Sequence, residues 1–406
     1  MSIAYVDDQR LAKHPPEERC IDFAIEPPIR PRLRYLDGFR AVAALYVTLF
    51  HAYINVTFGE PPLFPRPLQA IVNLLAYGQF GVVAFIVLSG YCLTLSFVRR
   101  ERPFTFLNIR SFIHRRARRI LPPYYAALLI TIALLLLFPA SRQISQTAQD
   151  LALPAFSSGT VWSHVFLVHN LNPVWAYKIN PPMWSLATEW QIYFIFILVL
   201  VPIWHWVGII ASVTFAAVVG IGLTRYVPQL ISVKCSMLGA FGLGMLAACI
   251  NFSKTPWVRW ARENMPWGVF SLIFYALILA VLLLRPTWLR HEMTADAAVA
   301  TACGCLLIHC TKQSSDNLAS GRNVSSPLVR LLECRVAVWL GLISYCLYLM
   351  HWPVIETLDI LATRAEWNVG SVAALTVFVG VPLSIAVAYL LQRIVEAGMN
   401  GVAKWF

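Results

Sequence analysis

Charge is scarce in this chain. Only 13% of its 406 residues are Asp, Glu, Lys or Arg, against 58% hydrophobic, whereas an ordinary soluble domain is about a quarter charged. That shortage argues against an ordinary soluble enzyme and points to lipid as the solvent. No extended polar stretch interrupts the apolar runs between Tyr35 and Leu391, which leaves no room for a second folded unit. No CxxC pair is present, and the nine cysteines are scattered, mostly within apolar runs. They argue against a disulfide framework and read as small core residues. The first 33 residues are polar and proline-rich with no apolar segment, which argues against a cleaved signal peptide. No convincing internal repeat emerges. Metal-ligand spacing is also missing: in Cys303-Gly-Cys305-x3-His309-Cys310 the first two thiols point about 160° apart on a helix, so one ion cannot take the whole set.

What is abundant is apolar sequence in runs of membrane-spanning length, about 20 residues each. Ten segments qualify, near 36–56, 71–98, 120–138, 183–204, 206–226, 229–250, 266–284, 294–310, 336–358 and 371–392. A weaker stretch, 151–168, is broken by Pro154 and Ser157-Ser158-Gly159 and reads as re-entrant or interfacial. The net charge of +12 suggests nucleic acid until the positions of the cations are considered. With the N-terminus in the cytosol, 23 of the 32 Lys and Arg residues fall on the cytosolic side, seven outside and two within spans. This is the positive-inside signal, and it removes the nucleic-acid reading. The expected fold is therefore an all-α polytopic membrane protein of about ten transmembrane helices with both termini cytosolic. A tail (1–33) and a short C-terminal tail (394–406) flank a membrane domain (34–393).

Ionisable groups at membrane depth cost at least about 2.5–3.5 kcal/mol, so each one asks for a partner or a task. The first span carries Asp37, Arg40 and His51. Arg40 and His51 are eleven residues apart, which at 100° per residue leaves a rotation of about 20° and an axial rise of roughly 16 Å. They share a face that links the cytosolic surface to the outer half of the membrane. For each residue alone, an Asp37–Arg40 ion pair with a hydrogen-bonded His51 is a sufficient structural account. Two further spans alter the balance. Trp184-Ser185-x3-Glu189 places Ser185 and Glu189 on one face, and Ser344, Tyr348 and His351 form an i, i+4, i+7 stripe. His51, Glu189 and His351 are expected at similar depth, around one pocket. Ser89, beside Gly90 with no nucleophile-elbow pattern around it, reads as a packing residue.

The ordered set of motifs resembles the acyltransferase 3 family. Its elements are Leu36-Asp37-Gly38-x-Arg40-x10-His51, Phe85-Ile-Val-Leu-Ser-Gly-Tyr91, Arg115-Arg116-Ala-Arg118-Arg119-Ile-Leu-Pro122-Pro-Tyr124, Trp184-Ser-Leu-x-x-Glu189 and Ser344-Tyr345-x-x-Tyr348-Leu-x-His351-x-Pro353. The resemblance covers nearly the whole chain. Some family members carry an appended C-terminal hydrolase-like domain; with 14 residues after Gln392 this chain is expected to be the stand-alone form.

The resemblance implies an integral plasma-membrane enzyme that moves an acyl group, commonly acetyl, from acyl-CoA to a hydroxyl of an extracytoplasmic glycan or glycosylated acceptor, with no permanently bound cofactor or metal. Arg40, with Arg115, Arg116, Arg118 and Arg119, is the expected contact for the CoA phosphates, although the arginine run serves equally as a topology signal. His51, Arg40 and Glu189 are the expected catalytic set, His51 acting as general base or as an acyl-histidine. Asp37, Trp184, Ser185, Ser344, Tyr345, Tyr348 and His351 are the expected substrate-binding residues. The competing class is a proton-coupled transporter, because buried His, Glu and Arg also build proton relays.

Overall fold

The computed structural model describes residues 33–57, 73–98, 106–138, 157–284, 292–320 and 326–402. Among the described residues every regular element is helical. In chain order these are α1 (Tyr35–Thr57), α2 (Gln79–Val98), α3 (Phe106–Leu137), the short α4 (Ser158–Val165) and α5 (Met183–Ile195). Then come α6 (Ile209–Tyr226), α7 (Met237–Phe252), α8 (Pro256–Asn264), α9 (Trp267–Leu284), α10 (Glu292–Ser320) and α11 (Pro327–Glu333), and finally α12 (Arg335–Arg364), α13 (Val369–Leu375) and α14 (Val381–Val402). A π-helical turn, Phe196–Leu200, continues α5 into Val201–Val207, and a second, Thr376–Gly380, joins α13 to α14. Each is followed within two residues by a proline, Pro202 and Pro382. The missing N–H and the ring clash of proline favour the wider turn at those places.

Among the described residues, seven helices are long and apolar enough to cross a membrane, and eight if α7 and α8, bent by 91° at their junction, count as one span. The ten segments expected from the sequence all fall on helices, but three miss that standard. The apolar part of α9 is short, α7 qualifies only with its bent partner, and α1 is not among the seven. Asp37, Arg40 and His51 lower the hydropathy of α1, a helix that packs inside the bundle. The weak 151–168 stretch forms only the eight-residue α4 within its described part. The N-terminal tail through residue 32, the start of that stretch and residues 403–406 lie outside the described residues.

Helices in lipid gain little from hydrophobic contact with one another, so close approach has to supply the association. Two glycine crossings provide it. A Cβ on Gly90 of α2 would stand 2.1 Å from the Phe241 carbonyl oxygen of α7, and one on Gly244 of α7 would stand 2.0 Å from the Val87 oxygen of α2. Likewise a Cβ on Gly341 of α12 would meet the Asp37 oxygen of α1 at 1.9 Å. Gly239 and Gly242 face α6 instead, against Ala217 and Ala216. Large side chains such as Leu137, Leu272 and Phe378 point outward, as a lipid-facing surface requires.

Pro353 shapes α12 beside the site. It has no N–H for the Leu349 carbonyl, and the Asn180 amide takes that role, donating to Leu349 O at 3.0 Å. Asn251 is buried and donates to Tyr91 Oη at 2.9 Å.

Substituting Gly244→Val should force α2 and α7 apart. The expected loss is at least the roughly 1–3 kcal/mol of an overpacked core position, read as a lowered unfolding temperature in detergent, while Gly222→Val, where no atom lies within 4 Å, should leave it unchanged.

Candidate active site

Helices α1, α2, α3, α5 and α12 surround a cavity of about 840 Å³, counting its open mouth. Arg40, Ser89, Arg116, Arg119, Glu189 and Tyr348 are among its lining residues. Arg40 is held from two sides. Its Nη1 donates to Asp37 Oδ1 at 3.0 Å and its Nη2 donates to Cys92 Sγ at 3.3 Å. Asp37, one turn earlier on α1, is thus behind the guanidinium and not on the cavity wall. Its expected place among substrate-binding residues gives way to that of an ion-pair partner, because a partly buried arginine needs its charge offset.

Opposite Arg40, Glu189 accepts hydrogen bonds from Ser89 Oγ on α2 and from Tyr193 Oη at 2.5 Å, one turn along its own helix. The cavity therefore presents an acceptor carboxylate flanked by arginines. Along α3, Arg116 and Arg119 face the cavity, and Arg116 lies over the Phe112 ring at 5.9 Å. Arg115 and Arg118 do not line it: they are exposed, and Arg115 donates to Ser111. Arg118 stands about 200° from Arg116 around the helix, which turns it away. Of the arginine run expected at the CoA phosphates, Arg116 and Arg119 line the cavity.

Tyr348 forms part of the cavity wall. Its hydroxyl pairs with Ser185 Oγ at 2.7 Å and donates to Pro182 O at 3.1 Å, while its ring meets Phe85 edge-on at 5.8 Å. Ser344 and Tyr345 line the same wall, and Tyr345 Oη donates to Ile120 O at 3.1 Å. Trp184, expected with them, packs among core residues and does not line the cavity.

Beyond Tyr348 lies a pair of imidazoles. His351 Nε2 is 3.0 Å from His51 Nδ1, with the rings tilted at 43°. His51 Nδ1 is also 3.0 Å from Val47 O, and His351 Nδ1 is 3.1 Å from Leu347 O. A carbonyl oxygen can only accept, so each Nδ1 carries the proton of a neutral ring. His51 Nδ1–H is then shared between Val47 O and the lone pair of His351 Nε2, and His51 Nε2 keeps a free lone pair. This tautomer assignment follows from the network. The Trp352 and Phe50 rings pack against His51 at 5.3 and 4.6 Å.

The expected common depth of His51, Glu189 and His351 is therefore corrected. The histidines pair with each other, whereas Glu189 lines the cavity, hydrogen-bonded to Ser89 and Tyr193 and not to His51. Ser89, expected to be a packing residue, lines the cavity; Cys92 and Tyr193 went unmarked. The available signal was phase: Ser89 and Cys92 share one face of α2, and Tyr193 follows Glu189 by four.

An apolar helical bundle with a cationic cavity and a buried imidazole pair belongs with the polytopic membrane acyltransferases. More narrowly, the chain belongs to the acyltransferase 3 family, whose profile, described as an acyltransferase domain, matches residues 33–393. It is 26% identical to "Putative peptidoglycan O-acetyltransferase YrhL" of Bacillus subtilis over 79% of this chain and 48% of that protein. It is 23% identical to "Putative O-acetyltransferase SACOL0978" of Staphylococcus aureus, over 90% of this chain and 57% of that protein. Identity to "Peptidoglycan O-acetyltransferase OatA" of Listeria monocytogenes is 24%, over 79% and 49%. The chain spans about half the length of these curated relatives. No solved structure matches it. Family membership does not favour the transporter alternative.

Cys92 is half-buried at the cavity wall beside Arg40, whereas Cys249, Cys303, Cys305, Cys310 and Cys346 are buried in the core. Access and a neighbouring cation favour thiol reactivity. A small maleimide should modify Cys92 together with the exposed Cys334 and leave those five unmodified, as read by peptide mass spectrometry of the folded protein.

Proposed function

We propose that this protein is an O-acyltransferase that carries an acyl group, acetyl first among them, from cytosolic acyl-CoA to a hydroxyl of an extracytoplasmic carbohydrate. One observation carries the reading: on a single face of α1, Arg40 belongs to a cationic cavity and His51, eleven residues on, belongs to a buried base pair. The proposed topology has ten spans with both termini cytosolic, in the plasma membrane, as the distribution of Lys and Arg supports. Peptidoglycan, named for two of the relatives, is the first acceptor to test.

In this reading the CoA phosphates sit at Arg116 and Arg119, where guanidinium forks suit them. The thioester extends past Arg40, whose fixed charge stabilises the oxygen as negative charge develops. The free lone pair of His51 Nε2 takes the acceptor hydroxyl proton as that oxygen attacks the acyl carbon. His351 Nε2, accepting from His51 Nδ1–H, stabilises the imidazolium that forms. The carbon–sulfur bond then breaks, and the CoA thiolate leaves with the proton from His51. Glu189 balances the arginines and holds Ser89 and Tyr193.

His51→Ala should lower acyl transfer by about 10²–10⁴-fold, the usual share of a general base, while acyl-CoA binding persists. Arg116→Gln with Arg119→Gln should do the reverse, weakening CoA binding and its salt dependence. Both are read by equilibrium binding and labelled acyl transfer in nanodiscs; near-normal transfer by His51→Ala contradicts the proposal.

A further inference from the structure

The donor cavity and the base are in separate compartments. Neither His51 nor His351 lines the cavity, and both are buried. Tyr348 borders both neighbourhoods: its hydroxyl and ring meet Ser185 and Phe85 at the cavity wall, and its ring centroid is 5.6 Å from that of His351. Two hydrogen bonds, to Ser185 Oγ and to Pro182 O, pin it there. Pro182 and Ser185 both sit at the start of α5, so the position of Tyr348 is tied to the outer end of that helix and not to the cavity floor.

We infer that Tyr348 is a positioning residue that partitions the site, holding the thioester away from His51 until it swings aside, and that the Ser185 hydroxyl is its latch. The inference rests on the acyl-CoA reading above. Its chemical consequence is protection of the donor. With the partition open and no acceptor present, His51 activates water, the water oxygen attacks the acyl carbon, the carbon–sulfur bond breaks, and free acid and CoA thiol result. Excluding that side reaction is a general task of closing elements at active sites. A side chain held by two hydrogen bonds has an open population that grows about two- to tenfold when one is removed.

In the proposed topology the partition also lies between the two sides of the membrane, which allows a test that needs no turnover. In inside-out vesicles, a membrane-impermeant methanethiosulfonate reagent is applied to His51→Cys protein, and labelling of the peptide holding position 51 is compared with that of Cys92 in the same molecules. With Tyr348 and Ser185 intact, Cys92 should label and position 51 should not. Adding Ser185→Ala or Tyr348→Phe should speed labelling at position 51 about two- to tenfold, with Cys92 unchanged, and Tyr348→Ala more. Equal labelling of both sites in the unaltered partition overturns the inference, as does a rate at position 51 that ignores Ser185→Ala and Tyr348→Phe.

A second arm keeps His51 and measures CoA release from acetyl-CoA without acceptor. Ser185→Ala should raise the ratio of hydrolysis to transfer at least about twofold; an unchanged ratio overturns the inference. Absence of any CoA release or transfer by the unaltered protein overturns the acyl-CoA reading, and the labelling arm then still decides the partition on its own.

Discussion

Arg40 brings a fixed positive charge into a largely apolar bundle, and much of the structure around it answers to that charge. Unpaired at membrane depth, it would cost at least about 2.5–3.5 kcal/mol. Asp37 offsets part of it from the preceding turn, and Cys92 accepts from its other fork. Glu189 faces it across the cavity, itself held by Ser89 and Tyr193. The helices must then come close enough for these short side chains to meet. Gly341 lets α12 rest on the Asp37 backbone, and the Gly90 and Gly244 crossing seats α7 against the helix that carries Ser89 and Cys92. The glycines and the charges are two parts of one constraint: backbones in close contact let short polar groups reach a buried cation.

The polar groups fall into two separate sets. Arg40 is met by Asp37 and Cys92 and Glu189 by Ser89 and Tyr193, whereas the histidines satisfy each other and two carbonyls. A chain that needed only stability would be better served by apolar residues at every one of these places, since buried ionic groups are weak contributors to stability. Retaining them in the order cation, carboxylate, tyrosine, imidazole pair is what a reaction route through the bundle requires.

Much of this was legible in the sequence. The helical phase of Arg40 and His51 put both on the inward face of α1, and the Ser344, Tyr348, His351 stripe runs along one wall of α12 as spacing implied. What escaped was height and neighbourhood. Phase says which face a residue occupies and nothing about its level against another helix, so Glu189 seemed to share a layer with His51. The arginine run looked uniform, yet only Arg116 and Arg119 turn to the cavity. Cys92 carried only the weak signal of sharing a face with Ser89, because a thiol in an apolar run looks like any small core residue until an arginine is found beside it. Span counting failed in the opposite sense at α1, where the ionisable residues that build the site lower the hydropathy that marks a membrane helix.

The central claim is that the donor enters from the Arg116 and Arg119 side and stops at Tyr348, with His51 beyond. A cryo-EM map of the protein in nanodiscs with a non-hydrolysable thioether analogue of acetyl-CoA tests it directly. The account predicts phosphate density at Arg116 and Arg119 and the acyl end of the analogue between Arg40 and Tyr348. Nucleotide density on the His51 side of Tyr348, or an analogue bound outside this cavity, would contradict it.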